Sequence, residues 1–157
     1  MDIGSGKTYP SGALSNFSPH PFVIDGIECN SMEGFLQSLK FKSPEMQAEV
    51  CKLVGYAAKK KGRGKNWQQS QTLFWRGKEI KRKSQEYQDL LDKAYTCMFK
   101  NTKFKKALEA SKPAVLTHSI GKSKESETVL TTREFCSRLT KLRDFGTLKD
   151  IKNKKLL

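Results

Sequence analysis

The sequence predicts a helix-rich α+β fold: one domain with a few short strands. Three observations carry that expectation. The chain has 157 residues, the length of one domain, able to bury roughly two-thirds of its unfolded surface. Apolar residues recur at helical spacing in several separate stretches, most of them opened by a capping residue. A hairpin signal, by contrast, occurs once, near the N-terminus.

Taken in order, the first fifteen residues read as a polar, glycine-rich loop. Pro21 to Cys29, PFVIDGIEC, reads as a β-hairpin: two short β-branched runs flank Asp25-Gly26, a pair suited to a two-residue type I′ turn. A helix follows, with Asn30 and Glu33 at capping-box spacing and Met32, Phe35, Leu36 and Leu39 as its apolar stripe. Ser43-Pro44, cap then proline, opens a second helix with Met46, Val50, Leu53 and Val54 inward. Residues 59–66, KKKGRGKN, carry two glycines and break the periodicity, which predicts a basic loop. A long helix is expected from about Ser84 to Lys100, with Tyr87, Leu90, Leu91, Ala94 and Met98 on one face. Asn101 caps a short helix carrying Phe104 and Leu108, and Ala114 to His118 is a strand candidate. Thr131 and Glu134 have capping-box spacing and open a last helix with Phe135, Leu139 and Leu142 inward. The domain therefore spans residues 1–146, and residues 147–157 read as a basic, weakly patterned, mobile tail.

Composition narrows the function. Lys and Arg number 30 against 16 Asp and Glu, a formal net charge of +14. Such an excess favours polyanionic partners, nucleic acid or nucleotides among them, although a lysine-rich surface kept for solubility gives the same total. Cys29, Cys51, Cys97 and Cys136 form no CxxC pair, which argues against a zinc site or a disulfide framework and for free thiols in a reducing compartment. His20 and His118 lack metal-ligand spacing, and a histidine after a short strand is ordinarily structural. No apolar run approaches the ~18–20 residues of a membrane span, and the N-terminus lacks a signal pattern, so a cytoplasmic location is expected.

Glu33, Gln37 and Lys40 stand at i, i+4 and i+7, on one stripe opposite the apolar face. A carboxylate, an amide and an amine together suit acid–base and nucleophilic chemistry. Periodicity alone favours the plainer alternative, the solvated face of an amphipathic helix. The N-terminal GSGKT is rejected as a phosphate-binding loop, because it lacks both the first glycine and a preceding strand. Arg63 and the surrounding lysines suit phosphate, and Trp67 beside them suits a base, with a solvated charge run next to a core tryptophan as the alternative.

The stretch from Leu14 to Phe41 resembles the opening of the NADAR family, also called YbiA-like. Ser15-Asn16-Phe17, Asp25-Gly26, Ser31, Glu33, Gln37, Lys40 and Phe41 match its pattern. GYAAKKKGRGKNW resembles the second block, with Arg63 and Trp67 at its marked positions, and LTHSIGK and TVLTTREFCSRLTKLR resemble a C-terminal block. The likeness reaches about Arg143. Two departures stand out: the family's Glu-His pair is Glu33-Gly34 here, and Glu125-Ser126-Glu127-Thr128 replaces an aromatic, acidic motif.

The resemblance implies a YbiA-like fold and N-glycosidic cleavage of ADP-ribose compounds without a cofactor or metal. Carried over by position, Lys40 would attack the anomeric carbon and form a Schiff base, and Glu33 would move protons. Asn16, Phe17 and Gln37 would line the substrate pocket, Arg63 would meet the pyrophosphate, and Trp67 would pack near the base. The expected function is an ADP-ribosyl glycohydrolase acting on a nucleobase, guanine in DNA or RNA. The alternatives are an N-glycosidase for a free ribosylated nucleotide or riboflavin-pathway intermediate, and a non-catalytic binder of ADP-ribose-derived signals or nucleic acid.

Overall fold

Ser31, Ser43, Ser84, Asn101 and Thr131 set the architecture, each accepting a hydrogen bond at the start of a helix from the backbone N–H three residues on. The structure, a computed structural model, describes residues 1–149. The helices are α1 (Met32–Ser38), α2 (Pro44–Cys51), α3 (Gly55–Arg63), α4 (Gln85–Met98), α5 (Thr102–Ala110) and α6 (Thr132–Phe145). Two antiparallel hairpins complete it: β1 (Phe22–Ile24) with β2 (Ile27–Cys29), and β3 (Thr72–Trp75) with β4 (Lys78–Lys81). This is the helix-rich α+β domain the sequence predicts. Most of the expected tail, residues 150–157, lies outside the described residues.

The first hairpin turns where expected. Asp25 and Gly26 have φ of 49° and 78°, the double left-handed turn of type I′. The Asp25 carboxylate also accepts from the Trp75 indole at 2.9 Å and the Lys93 ammonium at 3.0 Å, fastening the turn to β3 and α4. The core runs through Phe35, Leu36, Leu39, Leu91, Tyr95, Phe104, Phe135 and Leu139, with α1 buried at its centre.

Behind the core, β4 is tied to α6 by Arg82, which is 0% exposed. Its guanidinium donates to both carboxylate oxygens of Glu134, at 2.6 and 3.1 Å, and to the Thr128 carbonyl at 2.8 Å. Glu134 also accepts from the Thr131 backbone, so the only capping box among the described helices doubles as one half of a buried ion pair.

Several local expectations need correction. The N-cap of α1 is Ser31, not Asn30, whose amide instead donates to the Lys52 carbonyl at 2.9 Å. The step of one residue matters, because Glu33 is then free of capping duty. Residues 59–66 do not form a loop: Lys59 to Arg63 complete α3, and the chain leaves the helix only at Gly64. Cations in that last turn suit the helix dipole. Helix α2 stops at Cys51, so Leu53 and Val54 are not on its stripe, and Val54 caps α3. The second hairpin, β3–β4, has no counterpart in the sequence reading. The strand candidate Ala114–His118 reduces to one parallel bridge between Thr117 and Asp2.

Candidate active site

Helix α1 has no solvated face. The helix is shorter than the stripe read from the sequence: it ends at Ser38, so Lys40 lies just beyond it, in a turn where its N–H donates to the Gln37 carbonyl at 3.2 Å. Met32 and residues 34–39 are buried, and Glu33 and Lys40 are half-buried. The polar stripe instead forms one wall of a cavity of about 500 Å³, within the range of small-molecule sites. Asn16, Phe17, Glu33, Gln37, Lys40, Arg63 and Trp67, the residues singled out from the sequence, all line it.

Local structure explains each placement. Ser31 accepts from Gly34 N–H at 3.0 Å and donates to the Leu53 carbonyl at 2.9 Å, which docks the start of α1 against the end of α2. Glu33 N–H donates to the Asn16 carbonyl at 3.0 Å, joining the Ser15-Asn16-Phe17 turn to α1. The Asn16 side chain accepts from the Tyr95 hydroxyl at 2.9 Å, and Tyr95 is itself fully buried. Gln37 donates through Nε2 to Glu33 Oε1 at 2.9 Å and so orients the carboxylate. Phe17 packs over Gly55, whose φ of +59° starts α3 in a conformation that suits glycine.

Helices α1 and α3 meet at Gly62. A Cβ there would collide with Gln37 Oε1, so glycine is what lets the two helices touch. That oxygen is buried and unpartnered among the described residues, a cost of the kind tolerated at functional sites. The close approach carries Lys59 and Arg63 to the cavity from the α3 side. Trp67 is only 4% exposed and belongs to the core as well as the wall.

Burial dominates the electrostatics. It pushes the Glu33 carboxyl above the usual carboxylate value, against the opposing pull of the Gln37 hydrogen bond and of Lys40, Lys59 and His118. It pushes the Lys40 ammonium below the usual lysine value, opposed by Glu33 and reinforced by Lys122 and Lys59. No direct ion pair joins Glu33 to Lys40 among the described residues. The acid and the amine thus share one cavity, each biased toward its neutral form, without neutralising one another.

The family histidine replaced by Gly34 would not reach this cavity. A Cβ at position 34 would lie 2.6 Å from the Leu53 carbonyl oxygen and 2.9 Å from that of Cys51, against the end of α2. A different histidine, read from the sequence as structural, is hydrogen-bonded as expected but also lies at the site. His118 lines the cavity, its Nδ1 bonded to the Ile3 carbonyl at 2.8 Å and its ring edge-on to Phe135 at 5.3 Å. A carbonyl accepts only, so Nδ1 carries a proton and donates it to Ile3. What holds it there is the pairing of the N-terminal strand segment with residues 115–117, a contact across more than a hundred residues that no local pattern reveals. Among the described residues no group of three or more His, Cys, Asp or Glu is placed to hold a metal ion.

Comparison with known proteins places this arrangement. Residues 8–144 match the family model described as bacteriophage protein GP30.3. An uncharacterised 17.1 kDa protein from the Gp30–rIII intergenic region of enterobacteria phage T4 is 42% identical over 147 residues, covering 92% of this chain and 97% of that protein. The NMR structure of the E. coli protein YbiA superposes with a TM-score of 0.59 at 20% identity, covering 99% of this chain and 86% of YbiA. The fold is YbiA-like, as the resemblance implied.

Proposed function

The chain belongs to the bacteriophage protein GP30.3 family, and from the chemistry of its cavity we propose that it is an ADP-ribosyl glycohydrolase that cleaves the N-glycosidic bond between ADP-ribose and a nucleobase, guanine in DNA or RNA. One observation carries this reading. A carboxyl with a raised pKa and an amine with a lowered one line the same cavity without an ion pair between them. That is the pairing a lysine nucleophile and its general acid require.

Neutral Lys40 attacks the anomeric carbon while protonated Glu33 gives its proton to the departing base, which takes the electron pair of the broken C–N bond. The glycosyl ammonium on Lys40 returns a proton to Glu33. Glu33 then protonates the ring oxygen, the ribose opens, and a protonated Schiff base joins Lys40 to C1′. Water adds to C1′ with loss of a proton to Glu33, and collapse of the carbinolamine releases ADP-ribose and the free amine. Glu33 gives and regains one proton at each stage, and the net reaction consumes one water. Gln37 holds the carboxylate in place, and His118 lines the same cavity.

Asn16 and Phe17 hold the nucleotide, Arg63 and Lys59 meet the pyrophosphate, and Trp67 closes the wall behind the base. The cation excess favours a substrate carried on nucleic acid over a free one. The cavity volume also suits a free ribosylated nucleotide, which gives a second reading as a small-molecule N-glycosidase. Salt separates the two, since only a nucleic-acid substrate loses affinity steeply as counterion release weakens.

The test is hydrolysis of an ADP-ribosylated guanine oligonucleotide. Wild type releases ADP-ribose, and Lys40→Ala and Glu33→Gln each lose about 10²–10⁴-fold in rate. A wild type inactive on both the oligonucleotide and ADP-ribosyl guanosine, or a fully active Lys40→Ala, contradicts the proposal.

A further inference from the structure

Helix α3 has two faces. Ala58 and Gly62, four apart, are buried against the core and α1. Tyr56, Lys59, Lys60 and Arg63 stand at i, i+3, i+4 and i+7, one stripe down the opposite side, and all four are exposed. Lys59 and Arg63 reach the cavity, so the stripe begins at its mouth and runs outward.

Tyr56 is the unusual member, at 58% exposed. The guanidinium of Arg63 sits 5.6 Å from the ring centroid, and its Nη1 donates to the phenol oxygen at 3.5 Å. A cation therefore sits against the ring and holds it, while more than half of the residue stays exposed. An exposed aromatic ring held by a cation among lysines is a poor feature for solubility alone. It matches what single-stranded nucleic acid needs: a π-face for a base and point charges for the phosphates beside it.

We propose that the outer face of α3 is a track for a single strand of nucleic acid leading to the cavity, with a flanking base stacked on Tyr56 and its phosphates met by Lys60. The strand is single because stacking on Tyr56 requires a base with a free face, which a base inside a duplex lacks. A different polyanion would feel the lysines equally and ignore the ring. The track rests on reading the cavity as a site for a base borne on nucleic acid.

Fluorescence anisotropy with an unmodified, labelled single-stranded 12-mer tests it. Tyr56→Ala weakens binding by about 5–150-fold, the range for loss of one base–aromatic stack. Tyr56→Phe restores most of the affinity, and Lys60→Ala lowers the slope of log K against log salt by about 0.7. Melting temperatures of the variants, all exposed positions, control for folding. Equal affinity of wild type and Tyr56→Ala overturns the track and marks the attraction as charge alone. Tyr56-dependent binding with no turnover of any ADP-ribosylated substrate supports the track and sinks the reading of the cavity. Turnover of the oligonucleotide with Tyr56-independent binding does the reverse.

Discussion

Glu33 was legible in the sequence, but for the wrong local reason. Asn30-x-x-Glu33 has capping-box spacing, yet Ser31 caps the helix and releases the carboxylate into the cavity. Its burial has a consequence for stability. The folded-state pKa lies above the usual value of 4.5, so the folded chain holds that proton more tightly than the unfolded one. The resulting stabilisation is complete below about pH 4 and is lost as pH rises through the folded pKa. At pH 7 the buried carboxylate therefore weakens the fold. Glu33→Gln keeps an oxygen for the Gln37 amide and removes the charge, so its melting temperature at pH 7 rises above wild type, by about 2–4 °C for each kcal/mol recovered. The difference narrows on acidification toward pH 4. A variant that melts below wild type at pH 7 contradicts this placement of Glu33. Lys40 has the opposite sign: its lowered pKa makes stability rise as pH climbs toward 10.5. His118 was not legible as a cavity residue, since its place depends on Ile3, far off in the sequence.

At the scale of elements, caps were the most readable signals and glycines the least. Ser43, Thr131 and Asn101 each open the helix expected of them. Helix α3 was hidden because Gly62 and Gly64 in a basic run look like a loop. Gly62 is there for contact with Gln37, a tertiary reason that overrides helix propensity. Hairpin β3–β4 was hidden because Thr72, Leu73 and Trp75 are all buried, which removes the period-two signature. Its turn at Arg76-Gly77 also places a non-glycine residue at φ 53°, outside the usual turn vocabulary. These two cases separate by mutation. Gly→Ala inside a helix ordinarily gains up to about 1 kcal/mol. Gly62→Ala instead forces a Cβ into Gln37 and is expected to destabilise by about 1–3 kcal/mol, the cost of overpacking. Gly64→Ala, with nothing within 4 Å, stays within about 0.5 kcal/mol of neutral or gains slightly. Chemical denaturation of both variants checks the ordering, and a Gly62→Ala more stable than wild type contradicts the close α1–α3 contact.

Over the whole molecule, the cavity is assembled from segments that only folding brings together: the Asn16 turn, α1, α3 with Trp67, and the stretch from His118 to Phe135. Family-like motifs cover all four, but only the first three yielded candidate site residues, because there the pattern marks individual positions. The fourth depends on the N-terminal pairing to Thr117 and on the Arg82–Glu134 ion pair, which anchors Thr128 beside the cavity. Periodicity is silent on such long-range ties. The result is a cavity in a strongly cationic chain, with Lys40, Lys59, Arg63 and Lys122 at its walls, an electrostatic setting that favours anionic ligands.

Reductive trapping tests most directly whether Lys40 is the nucleophile. Wild-type protein turning over an ADP-ribosylated guanine oligonucleotide in the presence of cyanoborohydride should acquire an ADP-ribosyl adduct, which peptide mass spectrometry places on Lys40 and which Lys40→Ala lacks. Active wild type that yields no adduct at Lys40, or an adduct that persists on another lysine in Lys40→Ala, contradicts the Schiff-base route.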